Sequence, residues 1–234
     1  MQRLKFTGLI AAICAFLPFC HKSGHDAAQK HMHTTDFDEL VQRFESEERD
    51  AYQQPEKVMK HLDSIFKKRG TSAPVFAQGW SGLKVADLGA GTGYFTFRMA
   101  RDGAQVIALD VDERFLQYIE STPEYAQYRG KVKTRKVAAN SIGLKDGEVN
   151  VIFSVNVYHH IDDRVNYFRE SRKGLSEDGM LIIIDFKQGE MPVGPPEHIK
   201  LSEAEVTEEL SRAGYQVQVD HVLPYQNIYI CRTN

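Results

Sequence analysis

Cysteine is scarce in this 234-residue sequence: Cys14, Cys20 and Cys231 are too few and too scattered for a disulfide framework or a thiolate metal site. No metal is therefore expected, and the fold must rest on its own core. A surplus of positive charge is lacking too. With 29 Lys and Arg against 32 Asp and Glu, the net charge of -3 leaves no general basic face to neutralise a phosphate backbone, so nucleic acid is excluded as the default partner. Nor is there an apolar run of the ~20 residues that a membrane-spanning helix needs. The longest, Phe6 to Phe19, stops short of that before His21, Lys22 and Ser23.

That short run is still informative. Arg3 and Lys5 precede it as a positive region, and its composition is that of the apolar segment of an export signal. Leu17-Pro18-Phe19-Cys20 resembles a bacterial lipobox, although Phe19 stands where such boxes usually carry a small residue. The resemblance implies lipidation of Cys20 and membrane association through the N-terminus, or a cytoplasmic protein if the segment stays unprocessed. Residues 21–35 are polar and hold His21, His25, His31 and His33 without acidic or thiolate partners at fixed spacing, and read as a flexible linker. The expected organisation is a signal segment at 1–20, a linker at 21–35 and one domain at 36–234 with a helical extension at 36–79.

Phe37, Leu40, Val41 and Phe44 follow helical spacing, as do Val58, Met59, Leu62, Ile65 and Phe66 after Pro55, so two helices precede the first strand. From Lys84 the pattern alternates: strand Lys84–Leu88, helix Tyr94–Ala100, strand Gln105–Asp110, a helix capped by Asp112, and strand Val132–Val137. Val149–Val155 and Met180–Asp185 are continuous apolar runs, the mark of parallel strands covered on both faces, with a helix from Asp162 between them. Ser202 and Glu205 form a capping box for a helix ending at Gly214. Gln216–His221 and Tyr225–Arg232 then follow with only a turn between them, which reads as an antiparallel hairpin. The expected fold class is α/β: a Rossmann-like doubly wound sheet, mostly parallel, with helices on both faces.

The chemistry concentrates in Asp87-Leu88-Gly89-Ala90-Gly91-Thr92-Gly93-Tyr94, at a strand-to-helix junction. Glycines there let the backbone turn tightly and approach a ligand that a Cβ would block. A dinucleotide fingerprint would need glycine where Tyr94 stands, and a phosphate-cradling loop would need a Gly-Lys-Ser or Gly-Lys-Thr run that is absent. Asp-x-Gly-x-Gly-x-Gly instead resembles the first motif of class I S-adenosylmethionine-dependent methyltransferases, and the resemblance covers residues 84–186. It implies that Asp87 orients the methionine end of S-adenosyl-L-methionine while the backbone of Gly89, Ala90, Gly91, Thr92 and Gly93 accommodates the cofactor. Asp110, with Val111 beside it, ends the second strand where an acidic side chain can accept both ribose hydroxyls; Asp112 is left to cap the helix. The class often carries an Asp after the third strand toward the adenine. Here Asn140 stands in Val137-Ala138-Ala139-Asn140-Ser141 and is assigned that place.

The fourth strand runs into Ser154-Val155-Asn156-Val157-Tyr158-His159-His160. Asn156 is expected to line the cofactor. Tyr158 and His159 are expected on the substrate side, where either could take a proton from the attacking atom or orient it. The run through Arg164 resembles a bacterial subgroup related to the ubiquinone and menaquinone C-methyltransferases. Arg43-Phe44-Glu45, Glu48-Arg49-Asp50, Gln54-Pro55, Asp185-Phe186-Lys187 and Leu223-Pro224-Tyr225-Gln226 share in that likeness. The implied activity is methyl transfer to a small-molecule acceptor. The alternative is an envelope lipoprotein that keeps the fold as a non-catalytic binding module, because fold does not dictate activity.

Overall fold

The computed structural model describes residues 35–233. Cys20, the expected export segment and nearly all of the histidine-bearing linker lie outside the described residues. Three helices open the described chain: α1 (Phe37–Phe44), α2 (Glu47–Gln53) and α3 (Pro55–Arg69). The sequence pattern pointed to two. The extra helix, α2, reads EERDAYQ and has no apolar stripe; it forms because Ser46 caps it, accepting from the Arg49 N–H at 3.3 Å.

Seven strands follow in one sheet: β1 (Lys84–Leu88), β2 (Gln105–Asp110), β3 (Val132–Lys136), β4 (Val149–Val155), β5 (Leu175–Phe186), β6 (Tyr215–Asp220) and β7 (Gln226–Thr233). Their order is β3-β2-β1-β4-β5-β7-β6. The first five pair in parallel, and β7 runs antiparallel to both β5 and β6, which is the hairpin expected from the sequence. Strand order reverses between β1 and β4, so the ends of these two strands bound the crevice where ligands of doubly wound sheets sit.

The interleaved helices are α4 (Thr96–Arg101), α5 (Glu113–Ser121), α6 (Pro123–Tyr128), α7 (Arg164–Ser171) and α8 (Glu203–Arg212). Two expected starts move. α4 begins at Thr96 rather than Tyr94, and α7 at Arg164 rather than Asp162, with Asp163 in a left-handed conformation before it. At α8 the capping box is complete: Ser202 Oγ accepts from Glu205 N–H at 3.2 Å while the Glu205 carboxylate accepts from Ser202 N–H at 2.8 Å.

Period-two alternation divides the core cleanly. Val151, Phe153, Met180, Ile182, Ile184, Ile228 and Ile230 face α3 and α4, where Met59, Phe66, Trp80 and Met99 are buried. Ile152, Leu181, Ile183, Tyr229 and Cys231 face α7 and α8, with Phe168, Val206 and Leu210. Each buried aliphatic or aromatic side chain contributes about 1.5–3 kcal/mol. The N-terminal extension is thus part of the core: Trp80 packs edge-on against Phe66, 4.8 Å between ring centroids, and donates its indole N–H to the Met59 carbonyl at 3.0 Å. No helix among the described residues is long and apolar enough to cross a membrane.

Candidate functional site

Gly89, Gly91 and Gly93 all take left-handed φ values, +71°, +54° and +87°. The loop they form is stitched to β2 as well as to its own helix, where the Gly93 carbonyl accepts from the Phe97 N–H at 3.1 Å. The Gly89 and Ala90 N–H groups both donate to the Leu109 carbonyl, at 2.8 and 3.0 Å, and the Gly91 N–H donates to Asp110 Oδ2 at 2.9 Å. The other Asp110 oxygen accepts from the Asp112 N–H at 2.9 Å. Asp112 does cap α5, accepting from Arg114 N–H at 3.0 Å. Asp110 is nonetheless not idle as the sequence argument assumed. It braces the glycine loop, and its three backbone donors, at Gly91, Val111 and Asp112, leave room on a carboxylate for a further one. Burial raises its pKa above the ordinary carboxylate value.

Asp87 lies deeper. It is 4% exposed, accepts from Thr96 Oγ at 2.6 Å, and burial pushes its pKa up to about 7 against the opposing pull of Thr96 and of the nearby Arg49 charge. Thr92 is also buried, and its hydroxyl has no hydrogen-bond partner among the described residues. Val111, beside Asp110, is 47% exposed, a large apolar side chain presented to solvent at the strand end. Asn140 is exposed in the turn after β3, on the same end of the sheet. The short helix α4, six residues long and starting two residues late, gives the loop less dipole than expected.

On the other side of the crevice, Asn156 follows β4 with φ +60°, a conformation that asparagine tolerates better than most residues. Its amide closes a ring of three. Gln53 Nε2 donates to Gln226 Oε1 at 2.7 Å, Gln226 Nε2 donates to Asn156 Oδ1, and Asn156 Nδ2 donates to Gln53 Oε1 at 3.3 Å. Each amide gives one hydrogen bond and takes one, so α2, β4 and β7 are tied at one point. Gln53 and Gln226 are fully buried there. Asn156 is therefore a partner in a protein network as well as a wall of the crevice.

His159 lies beside Asp185 at the end of β5. Its Nδ1 lies 2.8 and 3.0 Å from the two Asp185 oxygens, and its backbone N–H donates to Asp185 Oδ2 at 3.2 Å. The His160 ring lies 4.3 Å away, tilted by 40°. Tyr158 is a correction: the structure does not place it on the substrate side. It is fully buried, stacked on Phe168 at 5.2 Å, and its hydroxyl donates to Glu209 at 2.7 Å, which Arg164 also grips. Burial and that hydrogen bond raise its pKa far above the usual phenol value. The left-handed turn at Asn156 sends the chain to the α7 and α8 face, where an amphipathic phenol finds both a ring and an acceptor.

Sequence reasoning assigned no role to Gln53, Gln226, Asp185 or Arg49. Gln226, Asp185 and Arg49 stand within the quoted motif runs, but nothing in those runs announces a partner 26 to 173 residues away. Among the described residues no cluster of His, Cys, Asp and Glu has the form of a metal site.

Glycine loop, braced acid and switch-point crevice together define an α/β domain built to hold a nucleoside-bearing ligand. The comparisons are more particular. Residues 86–183 match the family model described as a methyltransferase domain. The chain is 28% identical over 144 residues to a Mycolicibacterium smegmatis protein named as a probable S-adenosylmethionine-dependent methyltransferase, covering 59% of this chain and 54% of that one. It is 26% identical over 127 residues to a ubiquinone biosynthesis O-methyltransferase of Pelagibacter ubique, covering 54% and 49%. The chain thus spans about half the length of the curated relatives it matches. The solved structure of an S-adenosylmethionine-dependent methyltransferase from Aquifex aeolicus is similar at TM-score 0.69 and 26% identity, over 86% of this chain and all of that one. Residues 86–183 thus resemble a methyltransferase domain, and the sheet around them is the Rossmann-like sheet of the S-adenosylmethionine-dependent methyltransferase fold.

Proposed function

We propose that the protein as a whole is an S-adenosyl-L-methionine-dependent methyltransferase acting on a small-molecule acceptor. The observation that carries this reading is the joint between the Gly91 N–H and the Asp110 carboxylate. It holds an acid at the mouth of a left-handed glycine loop with acceptor capacity to spare, which suits a ribose diol. The remaining residues fit the same ligand. Asp87 lies under the loop, and the buried Thr92 hydroxyl, without a partner among the described residues, lies within it where the amino-acid end would run; Val111 offers an apolar surface for a base, and Asn140 and Asn156 stand at the two flanks. When bound, the cofactor supplies an already activated methyl group, so the chain has to align the acceptor and exclude water. His159, held by Asp185 through Nδ1, is a fixed imidazole at the same end of the sheet, beside the path an acceptor would take.

Calorimetry on the purified protein with S-adenosylmethionine and S-adenosylhomocysteine tests the reading. Binding is expected, and Asp110→Ala should weaken it at least tenfold, since a hydrogen bond to a charged group contributes about 1.5–3 kcal/mol. No heat and no thermal shift with either compound at millimolar concentration would overturn it. The same proposal places the protein at a membrane through lipidated Cys20, where several acyl chains anchor more firmly than one. Cys20→Ser should then give soluble or unprocessed protein on fractionation, whereas wild-type protein found soluble with Met1 intact would remove the anchor.

A further inference from the structure

The net charge of -3 is not spread evenly over the molecule. Helices that connect parallel strands run opposite to them, so their first turns gather at the crevice end and their last turns at the base, where the strands begin. The first turns of α3, α5 and α8 carry Glu56, Glu113, Glu203 and Glu205. The last turns of α3, α7 and α8 carry Lys67, Lys68, Arg69, Arg169 and Arg212. Helix dipoles favour that sorting, but they do not account for the whole base. Lys84 opens β1, Lys131 precedes β3, and Arg172 lies in the single turn that leads into β5.

Lys68, Lys84, Lys131, Arg169, Arg172 and Arg212 take part in none of the ion pairs between described residues. Arg172 is half-buried and the other five are exposed. Their basic neighbours are matched, Lys67 by Asp63, Arg69 by Asp178 and Lys173 by Glu170. Asp146 and Glu177, the acids at that end outside these ion pairs, do not balance six cations. The contacts of the six hold them in place without neutralising them. Arg169 Nη2 donates to the Arg212 carbonyl at 3.1 Å, Lys131 Nζ to the Ala100 carbonyl at 3.3 Å, and the Arg172 guanidinium lies 5.8 Å from the Tyr215 ring centroid. The extent of the patch names its partner. Three of the charges belong to the α7 and α8 layer, Lys68 to the α3 layer, and Lys84 and Lys131 to the sheet between them. Each helix layer lies on the order of 10 Å from the sheet, so the patch extends across the layers as well as along the row of strands. A lone phosphate meets only a few of these groups and a nucleic-acid duplex meets a stripe, whereas a sheet of anionic headgroups meets them all. We propose that the base of the domain, the end opposite the crevice, is a docking face for an anionic phospholipid bilayer. It turns the crevice away from the lipid, and it acts independently of Cys20.

The test is partition of the full-length chain onto vesicles of phosphatidylglycerol and phosphatidylcholine in equal parts, or of phosphatidylcholine alone. Cys20→Ser is present throughout, so no acyl anchor contributes, and any attachment through the N-terminal apolar run is common to every variant and cancels. At low salt this protein should partition at least tenfold more strongly onto the anionic vesicles, since each cation near an anionic leaflet contributes roughly fivefold. Arg169→Gln, Arg172→Gln and Arg212→Gln together should cut that partition at least tenfold. Lys68→Gln, Lys84→Gln and Lys131→Gln together, all at exposed positions, should do the same, and they decide the matter should the arginine variant fail to fold. Removing as many charges at the crevice end, by Arg43→Gln, Arg114→Gln and Lys136→Gln, should leave the partition within about twofold. No preference for anionic vesicles, or base variants that keep the starting partition, overturns the proposal. Tighter binding of a DNA duplex than of the anionic vesicles at equal phosphate concentration overturns it too, and makes nucleic acid the partner.

Discussion

The two halves of the crevice treat polar groups in opposite ways. On the β4, β5 and β7 side most of them satisfy one another: three amides close a ring and His159 is clasped by Asp185, with the buried Ser154 hydroxyl the exception among the described residues. On the β1 and β2 side polar groups are held at a cost to stability. Asp87 is buried with its pKa raised, the Thr92 hydroxyl and Arg49 Nε lack partners among the described residues, and three glycines sit at left-handed φ. One side is finished by the protein, and the other is shaped so that a ligand finishes it. Such a division is what preorganisation requires, since groups aimed at a ligand cannot also be content without it.

The largest test of that contrast is Asp87. Its carboxyl titrates near 7 in the folded chain and near 3.8 when unfolded, so between these values the folded state holds a proton that the unfolded state has lost. Stability at this site therefore falls as pH rises from about 4 to about 7, by on the order of 4 kcal/mol in all. Asp87→Asn removes that slope and still accepts from Thr96. In urea titrations at pH 5 and pH 8 it should be relatively more stable at the higher pH while binding cofactor more weakly. A variant with the wild-type pH slope would take the titration away from Asp87.

Next in size is Gly89→Val, which strikes the seam between the halves. A Cβ at Gly89 would lie 2.3 Å from Val157 Cγ2, and φ is +71°. Strain and overpacking each cost about 1–3 kcal/mol, so a stability loss of about 3 kcal/mol is expected in urea unfolding. Gly91→Val is the control: its Cβ meets only the Phe44 ring, at 3.5 Å, and the loss should be smaller. Smallest is Gln226→Leu, which opens the amide ring and leaves two groups short of a partner. A cost of about 2 kcal/mol follows. Affinity for S-adenosylhomocysteine should stay within threefold of wild type, and a larger drop would mean that the ring also holds Asn156 in place against the cofactor.

The same contrast explains what could be read in advance. The cofactor half is written in one stretch, Asp87 to Asp110, where strand, glycine turn and acid follow at local spacing. β1, β2 and β4 accordingly begin and end at the residues expected from their apolar runs. The acceptor half is assembled from Gln53, Asn156, Asp185 and Gln226, and such pairings exist only once the topology has been chosen. Tyr158 was misplaced for that reason, since the single left-handed turn at Asn156 decides which face receives it. Two short helices escaped notice because neither carries an apolar stripe: α2 is specified by its Ser46 cap, and α6 by Thr122 and Pro123.

One consequence concerns the order of synthesis. β7 follows β6 in the chain yet lies inside the sheet, between β5 and β6. Until residues 226–233 have been made, β5 has an open edge along Met180–Phe186, the seven residues that later pair with β7. An exposed, flat and apolar edge invites pairing with other chains. The nascent domain is therefore at its most vulnerable just before its last strand arrives, and a chain shortened by those eight residues loses an interior strand rather than a frayed end.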